Sequence, residues 1–351
     1  MKISRRDFII GSLMAGGSLL HSPGRLFAEK SKKRRRRSAY GKLEAEGQLS
    51  QRVERAYSIF EQCALCPRQC GVNRRDGEQG FCRAPAKLVV YSAHPHYGEE
   101  ISLVGRNGSG TIFFSNCNLR CVFCQNWPIA HEGRGRAMSD KDLADMMLHL
   151  QQIGCHNINL VTPTHVMPNI LNATSMACKK GLRIPLVYNT SGYERQDILK
   201  ILDGIVDIYL PDMKFMDAQQ AEKYSGGASD YPEVTKAAII EMHRQVGVHR
   251  VDSRGIATRG VMIRHLVRPN RVAGTDKFVR WVAENLPKST YVNIMHQYHV
   301  AFKAFEYPEI WRSITADEYL EALAWADKYG LTNLDPKSVT VRDFFVEHGK
   351  N

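Results

Sequence analysis

The sequence predicts an α/β fold in which helices cover a parallel sheet, and three observations predict it. Downstream of Gly110, short apolar runs of strand length alternate with amphipathic stretches of helix length through six units. Each run ends in polar residues, as strand ends at a functional rim do. The chain has 351 residues, 43% of them hydrophobic, and no internal repeat, which is enough for one large core and a small module. Periodicity by itself fits an open doubly wound sheet and a barrel equally well.

Residues 41–105 read as a cysteine-rich, loop-rich module. A short helix over 51–60 leads into it, and strands at 88–92 and 101–104 close it. Residues 106–351 hold the alternating units, the first strand being 111–114. Ser139 opens a helix, with Asp142 completing a capping box and Leu143, Met146, Met147 and Leu150 forming its apolar face. The second strand is 158–161, followed by a helix over 167–180 that stops at Gly181. The third and fourth strands are 186–188 and 205–210, with helical stretches at 218–224 and 234–246. The fifth is 261–266, with a helix at 277–286; the sixth is 291–295, and 315–329 is a late amphipathic helix.

Nine cysteines form two groups and two single residues. Cys117, Cys121 and Cys124 stand in CNLRCVFC, spacing C-x3-C-x2-C, directly after the first strand. Three thiolates at a strand end can hold an iron–sulfur cluster and leave one iron open for chemistry. The flanking Asn116, Asn118, Arg120, Gln125 and Asn126 are too polar for a core run. Cys63, Cys66, Cys70 and Cys82, spacing C-x2-C-x3-C-x11-C, suit a structural zinc or a second iron–sulfur cluster, and the sequence leaves both open. Cys155 and Cys178 read as small buried residues; a disulfide framework suits a chain with so large a core poorly.

The triplet, with Phe123 before its last cysteine, resembles the cluster signature of the radical S-adenosylmethionine superfamily. The longer string GSGTIFFSNCNLRCVFCQN looks like the branch related to pyruvate formate-lyase activating enzymes. CALCPRQCGVNRRDGEQGFC is similar to that branch's cysteine-rich N-terminal region. The resemblance runs from Cys63 into the C-terminal region. It implies a partial six-unit (β/α) barrel with a small N-terminal cysteine-rich module. It also implies a 4Fe–4S cluster on Cys117, Cys121 and Cys124, with S-adenosylmethionine chelating the open iron. One electron from that cluster would cleave a sulfonium C–S bond, giving methionine and a 5′-deoxyadenosyl radical that abstracts hydrogen.

The strand ends carry the other candidates. Thr162-Pro163-Thr164-His165 follows the second strand, Asn189-Thr190-Ser191-Gly192 the third and Asp212-Met213-Lys214 the fourth. Arg264 lies on the fifth, which leads to Arg268, and His296-Gln297 ends the sixth. Lys214 and Arg264 suit the cofactor's carboxylate, while Asn189, Ser191 and Asp212 suit its amino group and ribose hydroxyls. Phe123 would lie near the adenine. By resemblance, Asn189 to Gly192 align with a cofactor-contacting strand end, Asp212 and Lys214 with an Asp-x-Lys element, and His296 with a rim histidine. Structural readings stand beside these: an Asp212–Lys214 rim ion pair, Arg264 on an internal carboxylate, and His296 in a structural hydrogen bond. The relatives' Gly-Gly-Glu-like stretch after the second strand is absent; Thr162-Pro163-Thr164 stands there. Gly98-Glu99-Glu100 precedes the cluster strand and is not assigned to the site.

Net charge is +12, and +9 of it lies in residues 1–37, where eleven Lys or Arg face two acids. The remaining body is mildly basic, so no nucleic-acid partner is expected. Ser4-Arg5-Arg6-Asp7-Phe8, followed by an apolar stretch to Leu20, matches a twin-arginine export signal too short for a transmembrane helix. Residues 1–40 thus read as signal and basic linker. The twin-arginine translocase is then a partner and the location periplasmic or membrane-associated, with cytoplasmic retention as the alternative. The expected function is an activating-enzyme-like radical S-adenosylmethionine oxidoreductase, served by a flavodoxin- or ferredoxin-like reductant and acting on a protein or peptide of glycyl-radical type. The rival reading is a non-catalytic iron–sulfur electron-transfer or assembly protein.

Overall fold

The computed structural model describes residues 38–348. The twin-arginine segment and all but the end of the basic linker lie outside the described residues. Nine strands form the sheet system: β1 Leu88–His96, β2 Ser109–Phe114, β3 Arg136–Met138, β4 Ile158–Val161, β5 Leu186–Thr190, β6 Ile208–Pro211, β7 Arg250–Val251, β8 Ala257–Leu266 and β9 Tyr291–Met295. Their order is β3-β1-β2-β4-β5-β6-β8-β7, with β9 also paired to β8. The ladders β2–β4, β4–β5, β5–β6, β6–β8 and β8–β9 are parallel. These six strands are the six units the alternation predicted. Among the described residues no ladder joins β9 to β1, β2 or β3, so the barrel is partial, as expected.

The side-chain period of two sorts each strand between a helix-covered face and the barrel interior. Tyr188, Tyr209, Val261, Ile263, Val292 and Ile294 belong to the large core under the helices. Val187, Ile208, Leu210, Met262 and Tyr291 form a small inner cluster with Leu103 and Ala257. One or two positions further along the same inner register come Asn189, Asp212, Arg264 and Met295. On β5, β6 and β8 apolar residues thus fill the interior low down and polar ones follow at the C-terminal rim, while β2 and β4 bring Thr111 and Asn159 to the level of Val187.

Helix starts follow local chemistry. Ser139 and Asp142 form the expected capping box on the helix Asp140–Gln152, and Thr315 with Glu318 forms another on Ala316–Tyr329. Residues 101–104 depart from expectation: they form a helical turn, Ile101–Val104. That turn closes the interior from the N-terminal side. Leu103 joins the inner cluster, and the Glu100 carboxylate accepts from Asn293 Nδ2 at 3.0 Å. The fourth parallel strand starts at Ile208 because Ile205 still completes the preceding turn on the Leu202 carbonyl. The edge strand β3 and the helices Ala39–Ala45, Gln196–Ile201 and Pro336–His348 were not expected.

Gly192 turns the chain at the end of β5 with φ +81°, and a Cβ there would stand 2.4 Å from the Asp212 carbonyl oxygen. Gly192→Ala is expected to cost about 2 kcal/mol or more, read as a lowered midpoint in chemical denaturation.

Candidate active site

β2 delivers the cysteine triplet to the rim. Asn116 at φ +75° and Arg120 at φ +52° fold the segment back on itself. Backbone N–H groups point at the sulfurs: Leu119 donates to Cys117 Sγ at 3.4 Å, and Asn126 donates to Cys124. The Ser225 hydroxyl lies 3.3 Å from Cys121 Sγ. Burial pushes the Cys124 thiol up to about 12 and raises Cys121 as well. The loop is pinned from outside. Val122 donates its N–H to the Tyr224 carbonyl and accepts from Lys303, and Phe302 packs on Trp127 and His131.

The triplet walls an open cleft together with Phe123, Asn189, Ser191, Asp212, Lys214 and Arg264. The Asp212 carboxylate organises the polar side. Its Oδ2 lies 2.5 Å from Lys214 Nζ and its Oδ1 accepts from Arg264 Nε at 2.8 Å. Arg264 also donates to Asn189 Oδ1 at 2.5 Å. Burial pushes the Asp212 pKa up, but Arg264 and Lys214 outweigh it and hold the carboxyl below its usual range. Burial likewise works against the Lys214 cation, and Asp212 more than offsets it. Both structural readings of these residues therefore hold, and both pairs still face the cleft.

Six of the expected cofactor residues are thus brought together. His296 is not: it lies outside the lining, 5.5 Å from the Tyr319 ring, while its neighbours Met295 and Gln297 line the cleft. The alternation that turns Met295 inward turns His296 toward the helix side.

The four upstream cysteines line a second pocket together with Arg68, Arg74 and His165. Burial pushes Cys66 up to about 12.

The family model for the radical SAM superfamily matches residues 111–249, the stretch from β2 to the entrance of β7. The chain belongs to the radical S-adenosylmethionine superfamily. It is 35% identical over 294 residues to the uncharacterized protein MJ0674 of Methanocaldococcus jannaschii, covering 81% of this chain and 79% of that one. Among solved structures it is similar to the methylornithine synthase PylB at 14% identity and TM-score 0.43, covering 86% of this chain and 82% of that one. It is also similar to anSMEcpe with bound AdoMet at 12% identity and TM-score 0.43, covering 63% of this chain and 61% of that one.

Membership in the radical SAM superfamily implies S-adenosylmethionine and an iron–sulfur cluster, and the residues present fit both. Three thiols border the cleft. Two polar atoms at the same cleft are buried with no partner, Ser191 Oγ and Arg120 Nη1, as donors or acceptors reserved for a ligand would be. The cofactor's carboxylate was expected on Lys214 and Arg264, which Asp212 already engages; Arg120 has the unengaged N–H.

Two acids were missed. Glu99 Oε2 lies 3.5 Å from Arg264 Nη1, and burial raises the Glu99 pKa to about 7 against the pull of Arg264. Nothing local signals this, because Glu99 reaches Arg264 from the segment that closes the opposite end of the barrel. Glu194 is buried below Thr190 and accepts from Thr164 and Thr190 hydroxyls, each at 2.5 Å, while its Oε2 has no partner. Burial raises its pKa to about 7, and the two threonines only partly oppose this.

Asp212→Asn leaves two cations without their shared anion and is expected to cost about 3 kcal/mol in denaturation. Glu194 titrates higher folded than unfolded, so its protonated form favours the fold, and that stability is lost as pH rises toward and through about 7. Glu194→Gln should therefore gain on the wild type by on the order of 2 kcal/mol between pH 4.5 and pH 8, read as the difference in their denaturation midpoints.

Proposed function

We propose that this radical SAM protein is an oxidoreductase of the activating-enzyme-like type that abstracts hydrogen from a protein or peptide of glycyl-radical type. The observation that carries the reading is the convergence of Cys117, Cys121 and Cys124 with the polar ends of β5, β6 and β8 on one open cleft. We take the cluster to be a 4Fe–4S cube with one open iron. When bound, the cube and S-adenosylmethionine supply the cleaved C–S bond and the 5′-deoxyadenosyl radical.

The chain's own residues do the rest. The Arg120 guanidinium offers an unengaged N–H to the cofactor's carboxylate, and Ser191 Oγ offers a donor or acceptor to its polar groups. Asp212 holds Lys214 and Arg264 in place, so that the cations orient the ligand without collapsing on the sulfurs. Asn189 is turned by Arg264, which takes its carbonyl oxygen and leaves its amide N–H groups for the ligand. Phe123, buried against Phe215, walls the cleft and excludes water near the sulfurs. The lateral opening of the barrel suits a large substrate.

The upstream cysteines hold a zinc ion or a second cluster in this reading. A flavodoxin- or ferredoxin-like protein supplies electrons. The twin-arginine pattern supports export through the twin-arginine translocase to the periplasm or a membrane face. Among the described residues no helix is long and apolar enough to cross a membrane.

Anaerobically reconstituted protein given S-adenosylmethionine and dithionite should form 5′-deoxyadenosine, and a Cys117→Ala, Cys121→Ala, Cys124→Ala variant should form none. An electron carrier would form none in either case. With a glycyl-radical-type protein present, a protein-centred radical should appear by electron paramagnetic resonance; 5′-deoxyadenosine without it speaks for a small-molecule substrate.

A further inference from the structure

We infer that Cys63, Cys66, Cys70 and Cys82 ligate a second iron–sulfur cluster in electronic contact, through Arg68 and Ser225, with the cluster on Cys117, Cys121 and Cys124. This deepens the function proposed above and rests on it for the first cluster alone. All four cysteines wall one pocket. A tetrahedral zinc with sulfurs at about 2.3 Å draws its thiolates to roughly 3.8 Å from one another. Among the described residues no group of three or more His, Cys, Asp or Glu side chains is arranged to hold a single metal ion, the four upstream cysteines included. The same holds for the triplet Cys117, Cys121 and Cys124, and its superfamily binds a cluster there.

The local chemistry of the two cysteine sets is also the same. Arg68 donates its backbone N–H to Cys66 and Ala84 to Cys82, each two residues on. Leu119 to Cys117 and Asn126 to Cys124 repeat that spacing. Phe81 adds a further N–H on Cys70 Sγ at 3.3 Å. Such N–H···S bonds favour thiolates and set cluster potentials.

The pocket carries the means to balance a cluster's negative charge. Arg74 is 2% exposed, gives two guanidinium nitrogens to the His165 and Pro85 carbonyls, and keeps Nε without a partner. His165 gives its Nε2 proton to the Ser115 carbonyl at 2.7 Å, and its Nδ1 has no partner. Both residues line the pocket.

The two cysteine sets are joined by few steps. Arg68, whose backbone serves Cys66, sends its guanidinium to the Asn118 carbonyl at 3.1 Å and the Ser225 carbonyl at 3.2 Å. Asn118 lies inside the triplet, and Ser225 Oγ is 3.3 Å from Cys121 Sγ. Gln69, Gly71 and residues 75–79 leave the far side of the pocket at the solvent. A ferredoxin- or flavodoxin-class reductant would meet that side and give the second cluster one electron, which Arg68 and Ser225 would let pass to the first cluster, restoring the second to its oxidised state with no proton moved.

The experiment measures iron, sulfide and zinc, with Mössbauer and paramagnetic-resonance spectra, on anaerobically purified full-length protein. The Cys117→Ala, Cys121→Ala, Cys124→Ala variant isolates the second site. We expect about 8 irons per chain in the wild type and about 4 in the variant, with a cubane Mössbauer signature. Zinc without iron in the variant, or no metal at all, overturns the assignment. Should that variant not fold, Cys63→Ala with Cys66→Ala replaces it, and wild-type iron content in this pair overturns the assignment equally. In the dithionite-reduced wild type, spin–spin broadening beyond the sum of the two single-cluster spectra is expected; a plain sum overturns the contact. Absence of 5′-deoxyadenosine would sink the proposed reaction and leave these metal counts unchanged.

Discussion

The rim of this barrel depends on one carboxylate shared by two cations. Asp212 lies between Lys214 and Arg264, and Arg264 carries the contact on to Asn189. Those four residues come from the ends of β5, β6 and β8, so the network ties three strands together where their ladders run out. Backbone bonds support it: Asp212 donates its N–H to the Thr190 carbonyl at 2.9 Å, and Met213 donates to the Arg264 carbonyl at 2.8 Å. With Arg120 the cleft is lined by three cations against the Asp212 carboxylate, Glu99 reaching Arg264 from beneath, which suits an anionic cofactor group.

The electrostatics below that rim run the opposite way. Glu99 and Glu194 are both raised to about 7 by burial, one under Arg264 and one under Thr190. They sit where an extra negative charge is resisted, yet each is held by named partners. The polar interior is thus layered, with an anchored cation pair facing the cleft and beneath it two acids whose pKa values burial raises.

The six strands were legible because each apolar run is bounded by turn residues and followed by a helical period, and local pattern decides such elements. Most of each cysteine set was legible from close spacing, Cys117 to Cys124 and Cys63 to Cys70, whereas Cys82 joins its set from twelve residues on and only the fold brings it to the same pocket. The segment 101–104 was misread because its apolar pattern fits a strand and a helical turn alike at four residues. Its true state is decided by Leu103 entering the inner cluster. His296 was misplaced for a similar reason: whether a residue at a strand end faces the cleft depends on register, and one position reverses it.

Sequence by itself determined the periodic units, the two thiol sets and the polar residues waiting at each strand end, because these follow from spacing along a single chain. Tertiary structure alone decided that Glu99 meets Arg264, that Arg120 and Ser191 keep unengaged polar atoms, and that Arg68 joins the two thiol sets. Those pairings bring together residues from about 50 to about 165 positions apart, and only the closure of a curved sheet around a filled interior makes them neighbours.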